Sequence, residues 1–165
     1  MNKPTFPRGV TLTRATQEDI DRVTANFRDG DRRTVEVGGG QTDRVEDFER
    51  CWVVKAADGA DLGYLGVMVM PDRSFMSRER GICFMSAKGA DSHKIAFVAA
   101  SKPVFRYVAT CCPPWVDTFL SWPIESYAAS VRWQTRVLGF RRVGRVPFGD
   151  DAYVQLETTR KELFQ

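Results

Sequence analysis

The 165 residues carry 24 Lys and Arg against 21 Asp and Glu, a net charge of +3 (24 − 21), too small to demand a polyanionic partner. Hydrophobic residues make up 43% of the chain and charged residues 27%, the balance of a globular domain with a core of its own. No apolar run is long enough to span a bilayer, and residues 1–8 lack the apolar centre of a signal peptide, so no membrane role and a cytoplasmic site of synthesis are expected.

Cysteines stand at 51, 83, 111 and 112, and the one histidine is His93. Adjacent Cys111 and Cys112 do not match a zinc spacing, so reduced thiols without a metal are expected.

In chain order, residues 1–8, with Pro4 and Pro7, read as an extended arm ahead of a single domain over 9–165. Val10, Leu12 and Arg14 sit at strand spacing. Thr16 then caps a helix, with Asp19 closing a capping box and Ile20, Val23 and Phe27 on the buried face. The polar stretch Arg28–Gly40 ends in three glycines, Gly38 to Gly40, and a second helix is expected over 42–50, opened by Thr42. From Cys51 the period changes: Trp52–Val54 and Leu62–Met70 read as strands joined at an Asp58-Gly59 turn. Gly81–Met85 is a further short strand. The segment 91–109 reads as a helix carrying Ile95, Val98 and Ala99, kinked or broken at Pro103.

Trp115–Leu120 is the next expected strand. Glu125–Leu138 is the clearest helix, with Tyr127, Val131, Gln134 and Leu138 on one face and Gly139 as its left-handed cap. Residues 141–146 and 152–158 close the chain as a hairpin. This order implies an α/β (α+β) fold with a mixed, mostly antiparallel sheet of six to seven strands and about four helices on both faces.

Against that layout, the opening TLTRATQEDIDRV and the ending ASVRWQTRVLGFRRVGRVPFG resemble the first and last motifs of the GNAT (N-acetyltransferase-like) superfamily. The run SAKGADSHKIAFVAASKPVF is similar to that of small GNAT-like proteins of short-tailed bacteriophages, some of them internal virion proteins. The resemblance spans nearly the whole chain and rests on the order of its motifs. It implies a phage protein of the host cytoplasm during assembly, or of the virion, with other virion proteins or a second copy as partners. It also implies an acyl-CoA loop, here Ser86-Ala87-Lys88-Gly89-Ala90-Asp91, making Met85, Ser86, Lys88, Gly89 and Ser92 the candidate cofactor-binding residues.

Asp91 replaces the loop's last small residue and brings a carboxylate to the expected phosphates, with Lys88, Lys94 and His93 as possible compensation. Asp91 or Ser92 also reads as an ordinary helix cap, which explains both residues without a ligand. In the late helix, Ala128 takes the place of the family's asparagine and Thr135 that of its acidic tyrosine, and a threonine hydroxyl is a far weaker acid than a phenol. Tyr127 and Trp133 read as packing. Glu36, Glu49 and Asp117 are bases by residue type alone, and no acid–base pair stands out. The expected function is thus a non-catalytic virion or assembly component that requires no cofactor. The alternative is an active N-acetyltransferase using acetyl-CoA. Arg132, Arg136, Arg141, Arg142 and Arg145 read as a solvated face with acidic neighbours rather than a specific nucleic-acid surface.

Overall fold

A computed structural model describes residues 3–37, 43–71 and 73–165. Seven strands lie in the order β1-β2-β3-β4-β5-β7-β6. They are β1 (Thr11–Arg14), β2 (Arg50–Lys55), β3 (Asp61–Met68), β4 (Glu79–Ser86), β5 (Thr118–Ser121), β6 (Arg141–Phe148) and β7 (Asp151–Thr159). The helices are α1 (Gln17–Ala25), α2 (Asp29–Val37), α3 (Gly89–Ser92), α4 (Lys94–Cys111), α5 (Ala128–Arg136) and α6 (Arg160–Leu163). The pairs β1–β2, β2–β3, β5–β7 and β6–β7 are antiparallel, whereas β4–β5 is parallel. The mixed, mostly antiparallel α/β architecture expected from the sequence is therefore present. The chain sorts into two compact units, residues 1–68 with 83–104 and residues 69–82 with 105–165.

In the first unit, Thr16 caps α1 through its hydroxyl, which accepts the Asp19 N–H at 3.2 Å, while the Asp19 carboxylate accepts the Thr16 N–H at 3.0 Å. This reciprocal box points Ile20 and Val23 inward, where they join Phe27, Phe48, Tyr64 and Met85 in one apolar cluster. β2 and β3 are buried along nearly their whole length, which explains their apolar runs without alternation. Gly63 lies at φ 155°, and a Cβ there would stand 2.2 Å from the Met85 carbonyl oxygen, so glycine is what admits the backbone of β4.

Several expectations are corrected here. No helix covers the described residues of 42–50. Val45–Asp47 form a single 3₁₀ turn, and the Phe48 ring covers Gly66, leaving the Phe48 backbone extended (φ −106°, ψ 140°) as the chain enters β2. The helix instead forms earlier, as α2, with Asp29 and Asp31 at its positive end and the Thr34 hydroxyl donating to the Gly30 carbonyl. The three glycines fall outside the described residues. Pro103 does not break α4, which runs through it. The buried face of α4 is Phe97, Ala100, Ser101 and Val104, continued by Phe105, Val108 and Ala109, while Ile95, Val98 and Ala99 face solvent. Residues 3–8 do not simply extend: Thr5 bridges Thr11 and the chain turns at Pro7–Gly9, covering part of the free edge of β1.

In the second unit, Phe105 packs against Phe119 and Phe140 with ring centroids 5.5 Å apart in each pair. β5 begins three residues later than expected, at Thr118. Arg160 explains why: its guanidinium donates to the carbonyls of Ala109, Pro113 and Val116, holding the connection before β5 as a turn. Gly139 sits at φ 82° after α5, and the Phe140 N–H returns to the Gln134 carbonyl at 3.0 Å, closing the helix as expected. All four cysteines are free, and burial pushes the Cys51 thiol up to about 12, so it stays protonated. Among the described residues, no helix is long and apolar enough to cross a membrane.

Candidate functional site

The segment leaving β4 is built by three neighbouring pieces of the first unit. Residues 26–28, at the exit of α1, run antiparallel to 86–88. Arg28 N–H donates to the Ser86 carbonyl at 3.2 Å, Lys88 N–H donates to the Asn26 carbonyl at 2.8 Å, and Phe27 bridges Ala87. β3 supplies the second piece, its Leu62 carbonyl accepting the Ala87 N–H at 3.0 Å. The third is the β2–β3 turn, whose Asp58 meets His93.

The glycine in this loop has a specific reason. A Cβ on Gly89 would stand 2.3 Å from the Asp61 carbonyl oxygen, so α3 starts against the backbone of β3. Among the other candidate cofactor residues, Met85 and Ser86 are buried, Met85 within the apolar cluster, while the Lys88 and Ser92 side chains are exposed. Two N–H groups of α3 are taken up by the loop's own carbonyls. Ala90 donates to the Ala87 carbonyl and Asp91 to that of Lys88, both at 3.0 Å.

Asp91 does not face the loop as a bare negative charge. Arg28 lies 3.1 Å from its carboxylate and offsets it. His93 Nε2 lies 2.9 Å from the Asp58 carboxylate and Nδ1 lies 3.0 Å from the Gly89 carbonyl. The Gly89 bond and then Asp58 raise the imidazole pKa, while the Ala60 N–H and then His93 lower that of Asp58. Beneath the loop, Asp61 binds Arg22 at 2.6 Å and Lys55 at 3.1 Å, with Asp19 on the far side of Arg22 at 2.8 Å. Counting Lys88 and Lys94 with the pairs Arg28–Asp91 and His93–Asp58, the loop carries a surplus of positive charge. On charge it fits a pyrophosphate. Its backbone at Lys88, Ala90 and Asp91 provides no cradle of donors.

The second unit holds the residues matched to the leaving-group acid. Thr135 donates its hydroxyl to its own helix, to the Val131 carbonyl at 2.9 Å and the Arg132 carbonyl at 3.2 Å. Tyr127 is half-buried at the N-cap of α5, and Ala128 is exposed. Of the carboxylates considered as bases, Asp117 pairs with Arg78 and accepts from the Thr118 hydroxyl. Burial would raise its pKa, but these partners bring it below the usual range. Glu36, in the first unit, is exposed, and Glu49 is half-buried and already has a partner. Arg142 and Arg145 both bind Glu125, at 2.8 and 2.9 Å, and Arg141 binds Glu157 and Glu162. Asn26, Arg28 and Asp58 are the contributors that sequence reasoning did not attach to the loop. Asp58 was visible only as a turn residue, and nothing local marks the other two.

No family model matches the chain, and no curated protein sequence matches it. Its backbone nevertheless superposes on solved N-acetyltransferases. Spermidine N-acetyltransferase from Vibrio cholerae, solved with CoA and spermine, matches with a TM-score of 0.67 at 11% identity, covering 94% of this chain and 98% of that one. An aminoglycoside acetyltransferase solved with coenzyme A matches at 0.64 and 18% identity, covering 94% and 97%. The fold is that of the GNAT acetyltransferases. At these identities the likeness carries the fold and not the activity.

Proposed function

We propose that this chain is an acyl-CoA-dependent N-acyltransferase whose phosphate recognition rests on side chains rather than on a backbone cradle. The supporting observation is the near-complete superposition on acetyltransferases solved with CoA. The Arg28–Asp91 pair adds to it, because it removes the strongest electrostatic objection to a phosphate at this loop. Lys88, Ser92 and Lys94 are the exposed groups that would hold the anion, and acyl-CoA would supply an activated thioester to an amine acceptor.

A second reading has its own observations. The internally bonded Ala90 and Asp91 N–H groups and Thr135 hydroxyl favour a non-catalytic component, of the kind implied by the resemblance to small phage proteins. One calorimetric titration separates them: acetyl-CoA into wild type and into Lys88→Glu. Gly89→Trp would be a poor control, since even a Cβ collides at that position. Micromolar binding that weakens about tenfold or more in Lys88→Glu, the equivalent of about 1.4 kcal/mol, supports the enzyme reading. A folded wild type that gives no heat supports the second.

A further inference from the structure

His93 has two ring nitrogens, and each faces a group that accepts. Nδ1 meets the Gly89 carbonyl at 3.0 Å, and Nε2 meets the Asp58 carboxylate at 2.9 Å. A carbonyl has no proton to give, and the hydrogen bonds to Asp58, first from the Ala60 N–H and then from His93, keep that carboxyl ionised to lower pH than usual. A neutral imidazole carries one N–H and can satisfy only one of these partners. Both bonds form together only when the ring is an imidazolium.

We propose that His93 is a pH-operated latch tying the β2–β3 turn to the junction of α3 and α4. In the protonated state both N–H groups donate, one across to the turn and one back onto the first carbonyl of α3. Loss of the proton breaks one of the two bonds, whichever nitrogen gives it up. The ionised Asp58 keeps the remaining proton on Nε2, so the bond that opens is the one from Nδ1 to the Gly89 carbonyl, where two lone pairs then face each other across 3.0 Å and the α3–α4 junction loosens.

The surroundings make this latch responsive. Asp58 is the charged group facing the ring from the β2–β3 turn. On its own side of the loop, Asp91 is turned to Arg28, and in β3, Asp61 is held by Arg22 and Lys55. Lys94, the next residue, is exposed to solvent. The turn itself is pinned independently of His93: Gly59 sits at φ 89°, Ala60 N–H donates to Asp58, and the Ala56 and Ala60 backbones are bonded. It offers a fixed anchor, so opening the latch frees the helix junction rather than the hairpin. None of this depends on what the loop binds.

His93 is the only histidine in the sequence, so untagged protein gives a single imidazole resonance to follow by proton NMR from pH 5 to 9. The expected midpoint lies above the ordinary histidine value of 6.5, and it falls towards that value in Asp58→Asn. Amide exchange at Asp91–Phe97 should accelerate as pH rises through the wild-type midpoint, after correction for intrinsic rates. Asp58→Asn should show the faster exchange already at pH 6. A wild-type midpoint at or below 6.5, or one that Asp58→Asn leaves in place, overturns the proposal. So does corrected exchange that ignores the titration. Asp58 is exposed, and Asp58→Glu, which keeps the charge, serves as the folded control and should hold the midpoint above 6.5.

Discussion

Two regions match the places where the resemblance expects chemistry, and a glycine marks each. Gly89 opens α3 because there is no room for a Cβ, whereas Gly139 closes α5 because its backbone is left-handed at φ 82° with open space around it. The first glycine reports a close approach of backbones, and the second reports only a helix stop. The neighbouring polar groups differ in the same sense. Around Gly89 they reach between separate elements, Arg28 to Asp91 and His93 to Asp58. In α5, the Thr135 hydroxyl bonds its own helix. A local signal in sequence can therefore survive for purely architectural reasons, and only the longer-range contacts distinguish a built site from a well-ended helix.

The largest expected effect breaks this comparison at the glycines. Gly89→Ala must displace the Asp61 backbone or its own helix and should cost about 3 kcal/mol in urea unfolding. Gly63→Ala, facing the Met85 carbonyl, should cost at least as much. Gly139→Ala meets no neighbour and should lose only about 1 kcal/mol, from its backbone conformation. Equal losses at Gly89 and Gly139 would mean that α3 does not lean on β3 as described.

Next in size are the two carboxylates that each hold two cations. Asp61 is mostly buried between Arg22 and Lys55, whereas Glu125 is half-buried beside the exposed Arg142 and Arg145. Asp61→Asn should cost about 1–2 kcal/mol, because Lys55 loses its carboxylate and Arg22 keeps only Asp19. Glu125→Gln should cost less and lose its effect in high salt. The pH dependence has a definite sign. Burial alone would raise the Asp61 pKa, but the bonds from Arg22 and Lys55 lower it below 3.8 in the folded protein. Its contribution is then present above the unfolded value and is lost as pH falls through the folded one. Urea melts from pH 5 to pH 2.5 should show wild type converging on Asp61→Asn. Parallel curves over that range would remove Asp61 from the account.

Much of the fold was legible because its signals are local. The Thr16–Asp19 box, the Asp58-Gly59 turn, the α5 periodicity and the Gly139 stop each occupy a few consecutive residues. The misreadings share a cause in distant packing. The described residues of 42–50 form no helix because Phe48 is needed over Gly66, and α4 survived Pro103 because a buried stripe continues on both sides of it. The loop was half legible. Its glycine and lysines could be found by position, but Arg28 and Asn26 come from another element, and no spacing within the loop reveals that Asp91 is already paired.

The smallest expected effect sharpens the comparison most, because it bears on the side chain that the resemblance matches to a leaving-group acid. Thr135 gives its hydroxyl to the Val131 and Arg132 carbonyls, which already take part in the helix, so removing it leaves no buried donor unmatched. Thr135→Val should change unfolding free energy by no more than about 0.5 kcal/mol. Any acetyl transfer detected by thiol release from acetyl-CoA should continue in this variant at the wild-type rate. A fall of tenfold or more with binding unchanged would show the hydroxyl leaving its helix to act on the thiolate.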